Sequence, residues 1–314
     1  MAIDRFQCPD FTLRQLQYAI AIADTGGFGS AAEACGVSQP SLSAQVAKLE
    51  DTLGVRLFDR DTRVIRVTPA GERLLPVLRA SLSAAMVVEV AAATLRDPYA
   101  IPVRVAVIPT IAPYLLPRAV EELAARPGPQ VHWLELRTSA AEEAVAQGTA
   151  DAMVIADPPR DSTLVVRTLG WEPLLAAVPP DADAPDPLPV AWLRARELLL
   201  LDDGHCLRDQ VLSLCRLPAA RQSPYRATSL PTLVQMVSAG LGVTVLPAMA
   251  VAVECARSRV VPLRFVEGDI GRTLHMAWRS DHPLAAVMGE VADRFECAIA
   301  SLLAGFREVD RQRL

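Results

Sequence analysis

Lysine is almost missing. Lys48 is the one lysine among 314 residues, so nearly the whole basic complement is arginine. Positive charge is also short: the formal net charge is −5. A protein that coats a polyanion with its whole surface carries a positive excess, so a nucleic-acid role here has to sit in one small domain. No secretory leader is visible, because the start MAIDRFQCPDF lacks a basic segment followed by an apolar run. The longest apolar stretch, near residues 239–253, is interrupted by Thr244 and Pro247 and falls short of the roughly 18 residues a spanning helix needs. These absences predict a cytoplasmic protein with no membrane partner. There is no CxxC or HxxxH spacing, so neither a metal nor a cofactor is expected. Six cysteines in such a compartment should rest reduced. Cys8, Cys35, Cys255 and Cys297 lie among apolar or helical neighbours and read as small buried hydrophobes. His132, His275 and His282 are scattered and read as structural or surface residues.

Half of the chain is hydrophobic (51%), enough for a sizeable core in two or three domains. Residues 12–25 place Leu13, Leu16, Ile20 and Ala23 near helical spacing, and Gly26-Gly27 stops that helix. A short second helix ends at Gly36. Ser38 caps a third, with Pro40 in its first turn, where its missing N–H is harmless. Leu42, Val46, Leu49 and Leu53 form its apolar stripe, while Gln39, Ser41, Ser43, Gln45 and Lys48 give a polar face without long acids. Two short helices joined by a tight turn form a helix-turn-helix pattern. Residues 57–68 follow as a hairpin wing, where Arg60, Arg63 and Arg66 recur every third residue, suited to phosphates or the minor groove.

Thr68-Pro69 starts a long apolar helix to about Arg96, which Pro76 should bend and which wants a partner helix. Dimerisation supplies one, and a dimeric reader suits two half-sites on promoter DNA. From residue 101 strands and helices alternate: 102–108, 131–136 and 150–156 as strands around helices near 113–126 and 140–147, then strands at 174–178, 198–201, 242–247 and 275–279 and a helix near 283–304. The Pro-rich segment 179–189 reads as a surface loop. The fold class predicted is α plus α/β with parallel sheets: a winged helix-turn-helix (1–68), a linker helix (69–97), a two-lobed periplasmic-binding-protein-like regulatory domain (98–306) and a tail (307–314). Lobe I takes about 98–168 and 276–306, and lobe II about 169–275. A cleft between lobes suits a small effector.

The stretch AAEACGVSQPSLSAQVAKLEDTLGVRLFDRDTRVIRVTPAGE resembles the LysR-type transcriptional regulators, and the resemblance extends over the whole chain. It implies a DNA-binding regulator rather than an enzyme, assembled as a homodimer and homotetramer, with RNA polymerase as a further partner. At Ala44 many family members carry an arginine that reaches DNA. Within the family, GHCLRDQ with a second cysteine nine residues on, followed by RATSLPTLVQMVSAGLGVTVLP, is similar to the OxyR-type peroxide sensors; IPT at 108–110 and PYLLP at 113–117 fit as well. That similarity assigns sensing of hydrogen peroxide to Cys206 and resolution to Cys215. It also implies peroxide-positioning roles for Thr110, Thr138, His205, Asp209 and Arg279.

The residues add their own argument. A thiolate, not a thiol, attacks peroxide, and ionisation rises at a helix start and beside cations. Cys206 opens a helix after the strand LLLL and the turn DDG, with His205 and Arg208 beside it. On one helix, nine residues rise about 13.5 Å and turn about 900°, so Cys206 and Cys215 face opposite ways. A disulfide needs Cα atoms within about 7 Å, so the pair bridges only if the helix rearranges, as a switch requires. A cellular dithiol reductant would reset it. The rival expectation is a LysR-type regulator of a small metabolite with non-redox cysteines, in which Thr228-Ser229 at a helix start could hold a carboxylate.

Overall fold

The hydroxyl of Thr12 accepts from Gln15 N, and Gln15 Oε1 accepts from Thr12 N. This capping box fixes the start of α1 (Leu13–Thr25). α2 (Phe28–Ala34) follows, and α3 (Gln39–Leu53) begins where Ser38 caps Ser41 N with Pro40 in the first turn. Leu16, Ile22, Leu42, Val46 and Leu49 meet in one core with Leu57 and Phe58, each contributing roughly 1.5–3 kcal/mol by burial. The wing pairs β1 (Phe58–Asp59) antiparallel with β2 (Arg66–Val67). Buried Glu50 ties its base to α3, accepting from Leu57 N at 2.8 Å and Phe58 N at 3.1 Å. The structure, a computed structural model, describes residues 9–59, 65–215, 222–268 and 270–311. Arg60, Arg63 and Cys8 lie outside them.

α4 (Pro69–Thr94) starts as expected: Thr68 Oγ1 accepts from Gly71 N, and Pro76 sits inside the helix. Only its first turns are buried, through Gly71, Leu75 and Leu78; Val77, Met86 and Val88 are exposed. By length and composition α4 could cross a membrane, at mean hydropathy 1.7. This corrects the sequence expectation that no segment reaches that length. Charged residues such as Arg79 and Glu89 interrupt its apolar runs, so a search for unbroken runs passes over it.

The chain divides into two units, Met1–Ala92 with Ala146–Gly148, and Ala93–Val145 with Thr149–Leu314. The second unit runs β3 (Val103–Val107), α5 (Ala112–Ala124), β4 (Val131–Glu135), α6 (Thr138–Gln147), β5 (Ala152–Ile155), β6 (Leu164–Val178), α7 (Val190–Arg194), β7 (Leu198–Leu201), α8 (Cys206–Cys215), β8 (Gln222–Ala227), α9 (Leu230–Ser238), β9 (Thr244–Pro247), α10 (Ala248–Glu254), β10 (Val261–Leu263), β11 (Gly271–Arg279) and α11 (Ala285–Arg311). The main sheet has the order β10-β6-β11-β5-β3-β4, with β9 also on β6.

This sheet is mixed, not parallel. β3 lies parallel to β4 and β5, but β11 is antiparallel to both β5 and β6. β6 joins the two lobes: its first part pairs with β11 and its last residues with β9 and β10. Only the apolar ends of β6 and β11 were legible beforehand, because Val165–Thr168 are exposed and carry no core-facing run. β7 and β8 form a separate parallel pair. Neither β8, which contains Pro224, nor β10 was anticipated from sequence. Residues 216–221, after Cys215, are outside the described residues.

Candidate functional site

Three chain segments leave the C-terminal ends of parallel strands and meet. Thr110 follows β3, Thr138 opens α6 after β4, and His205-Cys206 open α8 after β7. This is where α/β sheets hold their ligands. Together with Ile108 and Arg137 these residues line a narrow recess. The turn into α8 needs Gly204, whose φ is +88° and whose added Cβ would touch Arg137 Cδ at 3.4 Å.

Besides Arg137, the cation whose charge bears on Cys206 is Arg272, on β11. Its Nη1 donates to Thr110 Oγ1 at 2.9 Å and its Nη2 to Thr110 O at 3.1 Å, while its Nε donates to Glu172 Oε2 at 2.8 Å. Burial pushes the Cys206 thiol above its ordinary value. Arg272, the Thr138 hydroxyl and Leu207 N–H oppose that rise, and Asp157 adds to it. Desolvation therefore outweighs the helix start and the cation, and the depressed thiol anticipated from sequence is not found. Burial, then Arg137, lowers the His205 pKa against the pull of Asp202, so the imidazole is neutral at pH 7. His205 Nε2 and Thr138 Oγ1 are buried with no hydrogen-bond partner in this state, although Thr138 lies near enough to sulfur to favour its thiolate.

α8 runs unbroken from Cys206 to Cys215. Cys215 is fully buried and its pKa is pushed by burial to about 11, with Arg194 opposing. Both thiols are free. Gln210 Nε2 ties α8 to Ala156 O and Asp157 Oδ1.

Several sequence assignments move. Arg208 turns away from the recess: Nη1 donates to Leu201 O at 3.3 Å and Nε pairs with Asp203 at 2.9 Å. It clasps the strand end from which α8 starts. Asp209 is exposed and lines a different, open cleft with Asp157 and Gln210, although three residues along a helix leave it only about 60° round from Cys206. Arg279 ends β11 paired with Asp281 and is not among the residues lining the recess; on the same strand it is Arg272 that bonds Thr110. Glu172 and Arg272 face each other only through the register of β6 on β11, a pairing that neither strand's own sequence shows. Ser229 spends its hydroxyl capping Thr232 N of α9. Cys297 is exposed and Cys35 and Cys255 are half-buried, not core residues. His132 is exposed, His275 is buried near Thr168, and His282 pairs with Asp151 at 3.2 Å. Among the described residues, no three His, Cys, Asp or Glu side chains could hold a metal ion.

On α3, Gln39, Pro40, Ser41, Ala44, Gln45 and Lys48 are exposed and Ser43 is half-buried. Gln45 Oε1 accepts from Gln15 Nε2 at 3.1 Å, which ties the outer face of α3 to α1. Arg66 on the wing is exposed.

Two family models match: the bacterial regulatory helix-turn-helix protein, lysR family, over residues 13–72, and the LysR substrate binding domain over residues 98–298. A curated relative, the DNA-binding transcriptional dual regulator OxyR of Escherichia coli K12, is 35% identical over 285 residues, covering 90% of this chain and 93% of that one. A full-length cysteine variant of OxyR from Pseudomonas aeruginosa superposes with a TM-score of 0.74 at 34% identity, covering 91% and 94%. A hydrogen-peroxide-bound cysteine-to-serine mutant of Corynebacterium glutamicum OxyR does so with a TM-score of 0.65 at 33% identity, covering 97% of each chain. The helix-turn-helix, the linker helix, the two-lobed regulatory domain and these matches together place the chain in the LysR family of DNA-binding transcriptional regulators.

Proposed function

We propose that this LysR-type regulator is a peroxide sensor whose switch is Cys206 with Cys215. The observation that carries this reading is the pairing of two free, buried thiols at opposite ends of one helix, the first in a recess with Thr110, Thr138 and neutral His205 and with Arg272 behind Thr110. The relatives named above support it. The recess is closed to a water-sized sphere in this state, so a small oxidant enters when a wall moves, and exposed Arg137 is the wall best placed to do so.

The chemistry balances as follows. The Cys206 thiolate attacks one oxygen of hydrogen peroxide; the S–O bond forms, the O–O bond breaks, and sulfur loses two electrons to the peroxide. The departing hydroxide takes a proton and leaves as water. Cys215 then gives up its proton and its thiolate attacks the Cys206 sulfur; S–S forms, S–O breaks, and the departing hydroxide takes up a proton and leaves as a second water. The bridge requires α8 to give up its helix, and with it the ties of Gln210 and Arg208. A cellular dithiol reductant returns both thiols.

The same proposal extends to the whole protein. Residues 1–68 read promoter DNA with Gln39, Pro40, Ser41, Ser43, Gln45 and Lys48 toward the bases and Arg60, Arg63 and Arg66 on the backbone or minor groove. Residues 69–97 dimerise, dimers pair into a tetramer, and the regulatory domain spans 98–306. The protein works in the cytoplasm and contacts RNA polymerase at its promoters. The test is to expose reduced protein to low peroxide and map disulfides by mass spectrometry, with Cys206→Ser as control. A Cys206–Cys215 bridge absent from the variant is expected. Two free thiols, or oxidation spread evenly over all six cysteines, overturns the reading. The open cleft beside Asp157, Asp209 and Gln210 favours the second reading, a metabolite effector, and ligand screening against it is then the next step.

A further inference from the structure

We propose that Glu172 is a positioning residue: it aims Arg272 at Thr110 and so sets how fast Cys206 reacts with peroxide. The inference rests on the peroxide reading above and gives a role to a side chain that does not line the recess.

Glu172 and Arg272 are partners across the β6–β11 ladder, in direct register. Their side chains are 0% and 1% exposed. Taking two charges so far from water is costly, and a buried pair survives only when every polar atom is satisfied. Both carboxylate oxygens are. Glu172 Oε2 accepts from Arg272 Nε at 2.8 Å, and Oε1 accepts from Met249 N, near the start of α10, at 2.9 Å. The second bond pins the carboxylate from another element, so it cannot swing with the arginine. The backbones close up at this point as well: a Cβ on Gly271 would lie 2.6 Å from Glu172 O.

Guanidinium is planar and rigid. Holding its Nε edge therefore fixes where Nη1 and Nη2 point, and both go to Thr110. A hydroxyl that accepts from Arg272 must send its own proton elsewhere, and Thr110 lines the recess. The chain of bonds runs from α10 through Glu172 and Arg272 to a polarised O–H beside Cys206. Such a donor matters when an O–O bond breaks and charge builds on the leaving oxygen. It matters little when iodide leaves an alkylating reagent.

That contrast is the test. In full-length reduced protein, the rates at Cys206 are measured by peptide mass spectrometry for hydrogen peroxide and for iodoacetamide. Each is referred to the thiolate by its own pH profile. Glu172→Gln presents an NH₂ to either Arg272 Nε or Met249 N, donor against donor, while Glu172→Asp keeps the charge but is too short to reach both. Glu172→Gln is expected to lower the peroxide rate per thiolate roughly 10- to 100-fold, with a smaller loss for Glu172→Asp and alkylation per thiolate within about threefold in both. Peroxide and alkylation rates falling together would mean a structural role alone, and an unchanged peroxide rate would mean no role; either overturns the inference. If Glu172→Gln loses its helical circular dichroism, Glu172→Asp decides on the same two rates. Wild-type Cys206 inert to peroxide would instead sink the sensor reading and this inference with it, whereas normal wild-type oxidation with an unaltered Glu172→Gln rate sinks only the inference.

Discussion

Two arginines on β11 carry opposite expectations. Arg272 is buried against Glu172 and bonded to Thr110, and Arg279 is half exposed against Asp281. Arg272→Lys keeps a charge opposite Glu172 but loses the two-nitrogen fork, so peroxide oxidation of Cys206 should slow by about tenfold or more, while Arg279→Ala should leave it within about twofold. Stopped-flow rates of thiol loss decide this, and equal effects from the two variants would return the site to Arg279. Burial holds the Cys206 thiol above its ordinary value. The oxidation rate should therefore climb roughly tenfold per pH unit through neutrality without levelling off below about pH 8.5. A plateau near pH 6 would contradict it. Cys206 itself was legible because a thiol among Asp202, Asp203, His205 and Asp209 is out of place in a core. Arg272 was not, since nothing local in GRTLHMAWR says which arginine a strand turns inward.

At the scale of elements, Asp151 fastens β5 to β3. It accepts from Arg104 N at 2.7 Å and Arg104 Nη2 at 2.6 Å, and from His282 Nε2 at 3.2 Å. Burial tends to raise its pKa, but the bonds from His282 and Arg104 prevail and bring it to about 2. A folded pKa below the unfolded one stabilises above the unfolded value. The contribution should thus be complete above about pH 4 and lost as pH falls through about 2. Arg104 is 40% exposed, so solvent screening keeps the figure low: Asp151→Asn should cost about 1–2 kcal/mol at neutral pH and flatten the acid limb. Urea midpoints from about pH 1.5 to 7 measure this, and a variant that keeps the wild-type acid slope would disprove it. Caps made the short helices readable, as at Thr12, Ser38 and Thr68. β6 was half hidden, because Val165–Thr168 face solvent and their partner strand lies about a hundred residues further on.

For the whole molecule the exposed apolar residues of α4 are the open account. Val77, Met86 and Val88 stand more than half exposed on a helix whose later turns hold half-buried but no fully buried side chains among the described residues. Patches of this kind mark interaction surfaces. If α4 pairs with the α4 of a second copy, Val88→Asp should weaken self-association roughly tenfold or more, the cost of putting an unpaired charge into an apolar seam. Sedimentation equilibrium reads this directly, and an unchanged mass would point to some other covering for the helix.

Periodicity, caps and composition determined the helix-turn-helix, the linker helix and the alternation of strands and helices. Each of these is a local preference, and local preferences are written in neighbouring residues. The position of Cys206 at a strand end and at the start of a helix was determined the same way. The tertiary structure alone decided which arginine bonds Thr110, that Arg208 and Asp209 lie outside the recess lining, and that burial outweighs the helix start at the Cys206 sulfur. The mixed direction of the sheet belongs there too. These outcomes depend on residues as far apart as Thr110, Glu172 and Arg272, brought together by strand register and desolvated by layers of chain, and no short window of sequence contains either term.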